Sequence, residues 1–198
     1  MLFSISLFIA HLQAVLIPIY IGFKTIKMHK YFKNSFLIPW GFISLGLASM
    51  FEMLDHTQTE WIYIDHTSIF NWLFYSFLSL GLSLLSISVT KNKLLISINL
   101  FTCSSAIISY LIFGKSIALI FQVIISILLI SNWQRLFKDW LLIAYPIFGI
   151  LLTTFFGVSL TLTSNQIWHI FIGPSGTISV ITFFLVLIRF ERKYNRVY

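Results

Sequence analysis

The sequence predicts an all-α fold: a polytopic integral membrane protein of seven transmembrane helices, with the amino terminus outside and the carboxyl terminus in the cytosol. Three observations carry this. Of 198 residues, 58% are hydrophobic and only 10% charged, and the mean hydropathy is +0.93; a water-soluble domain of this size needs far more polar surface. Seven apolar runs are each near the roughly 20 residues that a helix needs to cross the hydrocarbon core. Positive charge alternates between the connections, as it does in membrane proteins sorted by charge.

The runs cover 2–23, 35–54, 67–90, 94–113, 116–132, 141–162 and 168–188, and together make residues 1–198 one transmembrane domain. The first is a membrane helix and not a secretory signal, because Met1 to Ala10 has no positive region and no small-residue cleavage site follows. The fourth and fifth are separated only by Gly114 and Lys115, which leaves open a six-helix arrangement with a re-entrant hairpin. Pro18, Pro39, Pro146, Gly157 and Pro174 fall inside runs, where neighbouring helices satisfy the freed backbone groups, and they predict kinks instead of breaks.

Lys24, Lys27, Lys30 and Lys33 follow the first run, Lys91 and Lys93 the third, Arg135 and Lys138 the fifth, and Arg189, Arg192, Lys193 and Arg196 the last. Lys115 alone falls on the other side, so the parity of the charge pattern requires an odd number of spans. The net charge of +7 is therefore a topology signal that meets anionic lipid headgroups. It does not form the contiguous basic face that a nucleic acid requires. The single cysteine, Cys103, excludes a disulfide within the monomer and a cysteine-based metal site.

Chemistry-bearing residues gather on the outer side. Glu52 lies at the end of the second run, Asp55, Glu60 and Asp65 lie between it and the third with His56 and His66, and the connection before the seventh run brings His169. Imidazole and carboxylate are ligand types that Zn²⁺ accepts, and a catalytic zinc needs three of them plus an open position. Asp55, Glu60 and the segment Thr57 to Thr59 read as a solvated loop. Glu52 sits a turn deeper, where an ionisable group is costly unless paired or functional, and it shares a helix face with His56 four residues on. His11, within the first run near Gln13, reads as an interhelical hydrogen-bond partner, and His29 as a solvated side chain of the basic loop.

The run SNQIWHIFI at 164–172 and the run YIDHTSIF at 63–70 resemble signature segments of the CREST superfamily. These are seven-helix membrane hydrolases and receptors that include alkaline ceramidases and the progestin and adipoQ receptors. Trp168 and His169 match the end of that family's helix-seven zinc motif, and Asp65 matches its helix-three acid. Asn165 stands where the family has its first helix-seven histidine. At the end of helix two the family's serine and histidine find either Ser49 with Met53 or Glu52 with His56. The resemblance implies a zinc held by His56, His169 and either His66 or Glu52, with Asp65 as general acid and base. Asn165, Trp168, Ser49 and Asn71 would support ligands or substrate, although Asn71 reads more readily as an interhelical hydrogen-bond partner.

The expected function is metal-dependent hydrolysis of a membrane lipid amide or ester at the outer face. The alternative is a non-catalytic, receptor-like or lipid-binding protein with a degenerate metal site. A small-molecule transporter fits less well, because the later spans hold almost no ionisable residues at mid-depth. Richness in Ile, Phe, Lys and Ser points to a bacterial plasma membrane.

Overall fold

The computed structural model describes residues 2–27, 34–58, 68–163 and 166–194. Seven α-helices are present among the described residues: α1 (Leu2–Thr25), α2 (Leu37–Gln58), α3 (Ile69–Ser88), α4 (Lys93–Phe113), α5 (Lys115–Phe137), α6 (Leu141–Thr163) and α7 (His169–Tyr194), the last preceded by a 3₁₀ turn, Gln166–Trp168. Six of them, α1 to α5 and α7, are long and apolar enough to cross a membrane among the described residues. The 23 residues of α6 include no acidic or basic side chain. The protein is an all-helical integral membrane protein.

Helix ends differ from the apolar runs in an instructive way. The second run stops at 54, but α2 continues to Gln58 and carries Asp55 and His56 as helical residues. The fifth run stops at 132, but α5 continues through Arg135 to Phe137. Hydropathy marks where hydrocarbon ends, whereas a helix ends where its backbone is capped. Lys138, in the left-handed region with φ 50°, closes α5 by donating its N–H to the Gln134 carbonyl. Ser68 opens α3, its hydroxyl accepting from the Asn71 N–H. Between α4 and α5 the chain reverses on Gly114 alone, at φ 78°, a conformation that suits a residue without Cβ. Its N–H caps Tyr110, and helices of 21 and 23 residues lie on either side, so the re-entrant hairpin is not formed. Pro18 and Pro174 lie within continuous helices.

Helices α1, α2, α3, α5, α6 and α7 form a ring, with sparse contact between α5 and α6, and α4 packs outside against α3 and α5. Phe101, Leu111 and Phe113 of α4 accordingly face outward. Two glycines permit close crossings. A Cβ on Gly46 would lie 2.9 Å from the Val15 carbonyl oxygen, and one on Gly173 would lie 3.0 Å from that of Ala10. These contacts draw α1 against α2 and against α7.

The dense core occupies one end of the bundle, where Ile38, Phe42, Leu85, Leu129, Trp133, Leu142 and Leu187 are buried together. Trp133 is fully buried and its indole N–H donates to the Leu85 carbonyl at 2.7 Å. Along α3 a seam of buried polar side chains is matched by its neighbours: Tyr110 to Asn71, Gln122 to Ser79, and Asn132 to Ser86. Such bonds join helices where no water competes.

Replacing Trp133 by Ala removes the largest buried side chain and should cost about 3–5 kcal/mol. A clear fall in the melting temperature of detergent-solubilised protein is expected, and a variant melting within about a degree of wild type would show that this core does not hold the bundle.

Candidate metal centre

At the end of the bundle opposite the dense core, three helices place four potential ligands together. On α1, His11 follows Ala10 and is 2% exposed. Its Nδ1 lies 2.9 Å from the Leu7 carbonyl oxygen. A carbonyl only accepts, so Nδ1 bears the proton and Nε2 presents its lone pair inward, the arrangement that fixes a ligating imidazole. On α2, Glu52 and His56 are one turn apart and project from one face. On α7, His169 is the first helical residue. The preceding Trp168 stacks on Phe156 of α6, which in turn stacks on Phe171, so aromatic packing sets the start of the helix. The Nδ1 of His169 is buried without a hydrogen-bond partner among the described residues; packing therefore orients this ring.

The four ligand atoms lie within 4.8 Å of one another. His56 Nε2 and His169 Nε2 are 3.1 Å apart. Glu52 Oε2 is 3.8 Å from His11 Nε2, and Glu52 Oε1 is 3.9 Å from His169 Nε2. The rings meet edge to face, with interplanar angles of 67°, 71° and 76°, so their nitrogen tips converge without stacking. Ligands about 2.0–2.1 Å from a tetrahedral zinc are themselves about 3.3 Å apart. The observed separations straddle that value, and the donor set of three imidazoles and one carboxylate suits a borderline divalent cation.

Below the cluster lies a cavity of about 320 Å³. Glu52 and Ser49 line it, and so does Gln122 of α5; its deeper wall is apolar, with Leu82, Leu129 and Phe183. Leu119 and Val123 line the cavity and are also exposed on the outer surface of α5. Glu52 thus faces both the imidazoles and the cavity.

Of the residues singled out in the sequence, Glu52, His56 and His169 are brought together. His66, Asp65 and Asn165 lie outside the described residues. Trp168 packs on α6, Ser49 lines the cavity a turn from Glu52, and Asn71 accepts from the Tyr110 hydroxyl at 2.6 Å, which makes it an interhelical bond. His11 reaches across helices to Glu52, as the sequence predicts, but it also joins the cluster, in which the sequence does not place it. Its Nδ1 bond stays within its own helix, and its other nitrogen faces the cluster. The available signal is its place in a membrane span, where an ionisable residue marks function by default. Asp55 is a second correction: α2 extends past the apolar run, so this carboxylate is only 1% exposed and accepts a hydrogen bond from Ser68.

A family model described as a seven transmembrane receptor matches residues 3–193. No curated protein and no solved structure matches the chain.

Because Asp55 is buried and hydrogen-bonded to the residue that caps α3, Asp55→Ala should destabilise the protein by about 1–3 kcal/mol. Thermal or denaturant unfolding in detergent measures this, and a change within about 0.5 kcal/mol would return Asp55 to the class of solvated side chains.

Proposed function

We propose that this chain, which belongs to the seven transmembrane receptor family, holds a divalent metal, zinc, at its outer face and acts there on a membrane lipid. The observation that carries the reading is the convergence of His11, Glu52, His56 and His169 from three helices at the head of an apolar cavity. A zinc in that place would polarise a carbonyl and make a water acidic at neutral pH. The cavity suits a single apolar chain, held so that a carbonyl at its head approaches the imidazoles.

The reaction this favours is hydrolysis of a lipid amide or ester. Water oxygen attacks the carbonyl carbon, Glu52 accepts the water proton, and the proton passes to the amine or alcohol as the bond to it breaks. Asp65, just before α3, is the second candidate for that proton, so Glu52→Gln and Asp65→Asn should be compared. His66 is a further candidate ligand, and Asn165 and Trp168 flank His169 in the segment similar to the CREST superfamily. His11 on the first helix departs from that likeness. The family's description favours a second reading, a receptor-like protein that binds a lipid without turning it over. Incubating zinc-loaded protein with long-chain amides and esters separates the two: released fatty acid supports the hydrolase, and saturable binding without release supports the receptor-like protein.

The metal itself is tested first. Gently purified protein should contain about one zinc per chain by elemental analysis. His11→Ala and His169→Ala should each lower its affinity by at least tenfold, while His29→Ala leaves it unchanged. Absence of stoichiometric metal from the wild type, or its full retention in both alanine variants, would sink the metal centre.

All seven helices are proposed to span a single bacterial plasma membrane as one unit, with the amino terminus outside. Lys24, Lys27, Lys91, Lys93, Arg135, Lys138, Arg189, Arg192 and Lys193 support this, lying at the ends of α1, α3, α5 and α7 and the start of α4, opposite the cluster. A reporter fused after Tyr198 should be active only in the cytosol, and a tag before Met1 should be reached from outside. The reverse labelling would put the cluster on the cytosolic face.

A further inference from the structure

Gln122 is 5% exposed, lies on α5 and lines the cavity. Its Nε2 is 3.1 Å from the Tyr75 carbonyl oxygen and 3.1 Å from Ser79 Oγ. The carbonyl only accepts, and the Ser79 proton is already donated to that same carbonyl at 2.8 Å. Both neighbours therefore require N–H donors, which fixes the orientation of the amide. The Gln122 nitrogen is thus held by this pair of acceptors on α3. Its Oε1 has no protein partner among the described residues and is not among the fully enclosed polar atoms, so this acceptor opens on the cavity that the residue lines.

Depth places the acceptor near the head of the cavity. Gln122 is seven residues into α5 and Glu52 six residues before the end of α2, so at about 1.5 Å per residue both lie roughly 10 Å from the outer helix ends. Of the hydroxyls on the cavity wall, those of Ser126, Thr153 and Thr177 donate to carbonyls of their own helices. Gln122 brings an amide to this wall, its nitrogen held by α3 and its carbonyl oxygen left open.

We infer that Gln122 is a specificity-determining residue, which selects among cavity ligands for one bearing an O–H or N–H donor next to its polar head. The inference rests on the proposal that the cavity takes a lipid, and adds which lipid it prefers. A ligand without a donor strips water from Oε1 and puts nothing in its place, a cost felt in full in a low-dielectric site. A ligand with one replaces the water.

The test uses full-length protein in detergent and two probes that differ by one donor: a long-chain secondary fatty amide and its N-methyl derivative. Both compete against a fluorescent fatty acid. Wild type should bind the secondary amide about 5- to 50-fold more tightly. Gln122→Met should bring the two to within about twofold by weakening the secondary amide alone, with zinc content unchanged. Equal binding of both probes by wild type overturns the role of Gln122 and leaves the lipid cavity standing. Displacement by neither probe, with no binding of the fluorescent fatty acid, overturns the lipid reading and this inference together. The wild-type comparison needs no variant, so it decides between these outcomes even where Gln122→Met misfolds.

Discussion

A carboxylate inside a hydrocarbon layer is the constraint around which one half of this bundle, the half opposite Trp133, is arranged. Glu52 lies within the membrane-spanning part of α2, where an unpaired charge costs several kcal/mol. What surrounds it is three imidazoles from α1, α2 and α7. Each of these is itself a polar group removed from water and needs a partner. The cluster is self-consistent only if all four come together, and that requires three helices to approach closely at one depth. Gly173, one turn below His169, and Gly46, below Glu52, supply the two near-contacts with the α1 backbone. Small residues at the crossings and ionisable residues at the cluster are thus one requirement seen at two places.

The opposite half of the bundle answers a different demand. Dispersion packing around Trp133 and Phe42 is dense, and the bonds of Asn132 to Ser86 and of the Trp133 indole to Leu85 tie α5 to α3. Lipid offers no hydrophobic gain for joining apolar helices, so packing and interhelical hydrogen bonds must do it. With one end locked in this way, the other end can tolerate a cavity. Contact between α5 and α6 is thin, and Leu119 and Val123 of α5 face both the cavity and the surface.

Much of this architecture is legible in the sequence, because bilayer thickness fixes the length of an apolar run and seven runs correspond to seven helices. The shortfalls have physical causes. Hydropathy measures solvent, not backbone, so the last turn of α2 reads as loop and Asp55 as solvated, although the helix carries it into contact with Ser68. Ser68 is also the residue that caps α3. His11 looks solitary because its partners are 41, 45 and 158 residues away; linear spacing reveals pairs on one helix, such as Glu52 and His56, but not pairs across crossings. Gln122 carries no signal at all, since a lone amide in an apolar run most often joins helices, and only the placement of its nitrogen against α3 shows an acceptor left over.

The number of donors in the cluster bears on what such a centre does. Structural zinc sites close all four positions with protein ligands, whereas catalytic sites keep one open. Here the three histidines are 4% exposed or less, while the Glu52 side chain is 21% exposed and shares the cavity wall with Ser49. The carboxylate is therefore the one donor of the four that faces both ways, and its position decides the character of the site. Directed at the imidazoles it would complete a closed set around a bound metal; directed at the cavity it would leave the fourth position open. Separations of 3.8 and 3.9 Å from two different imidazoles put the carboxylate in reach of both rings while it keeps its place on the cavity wall.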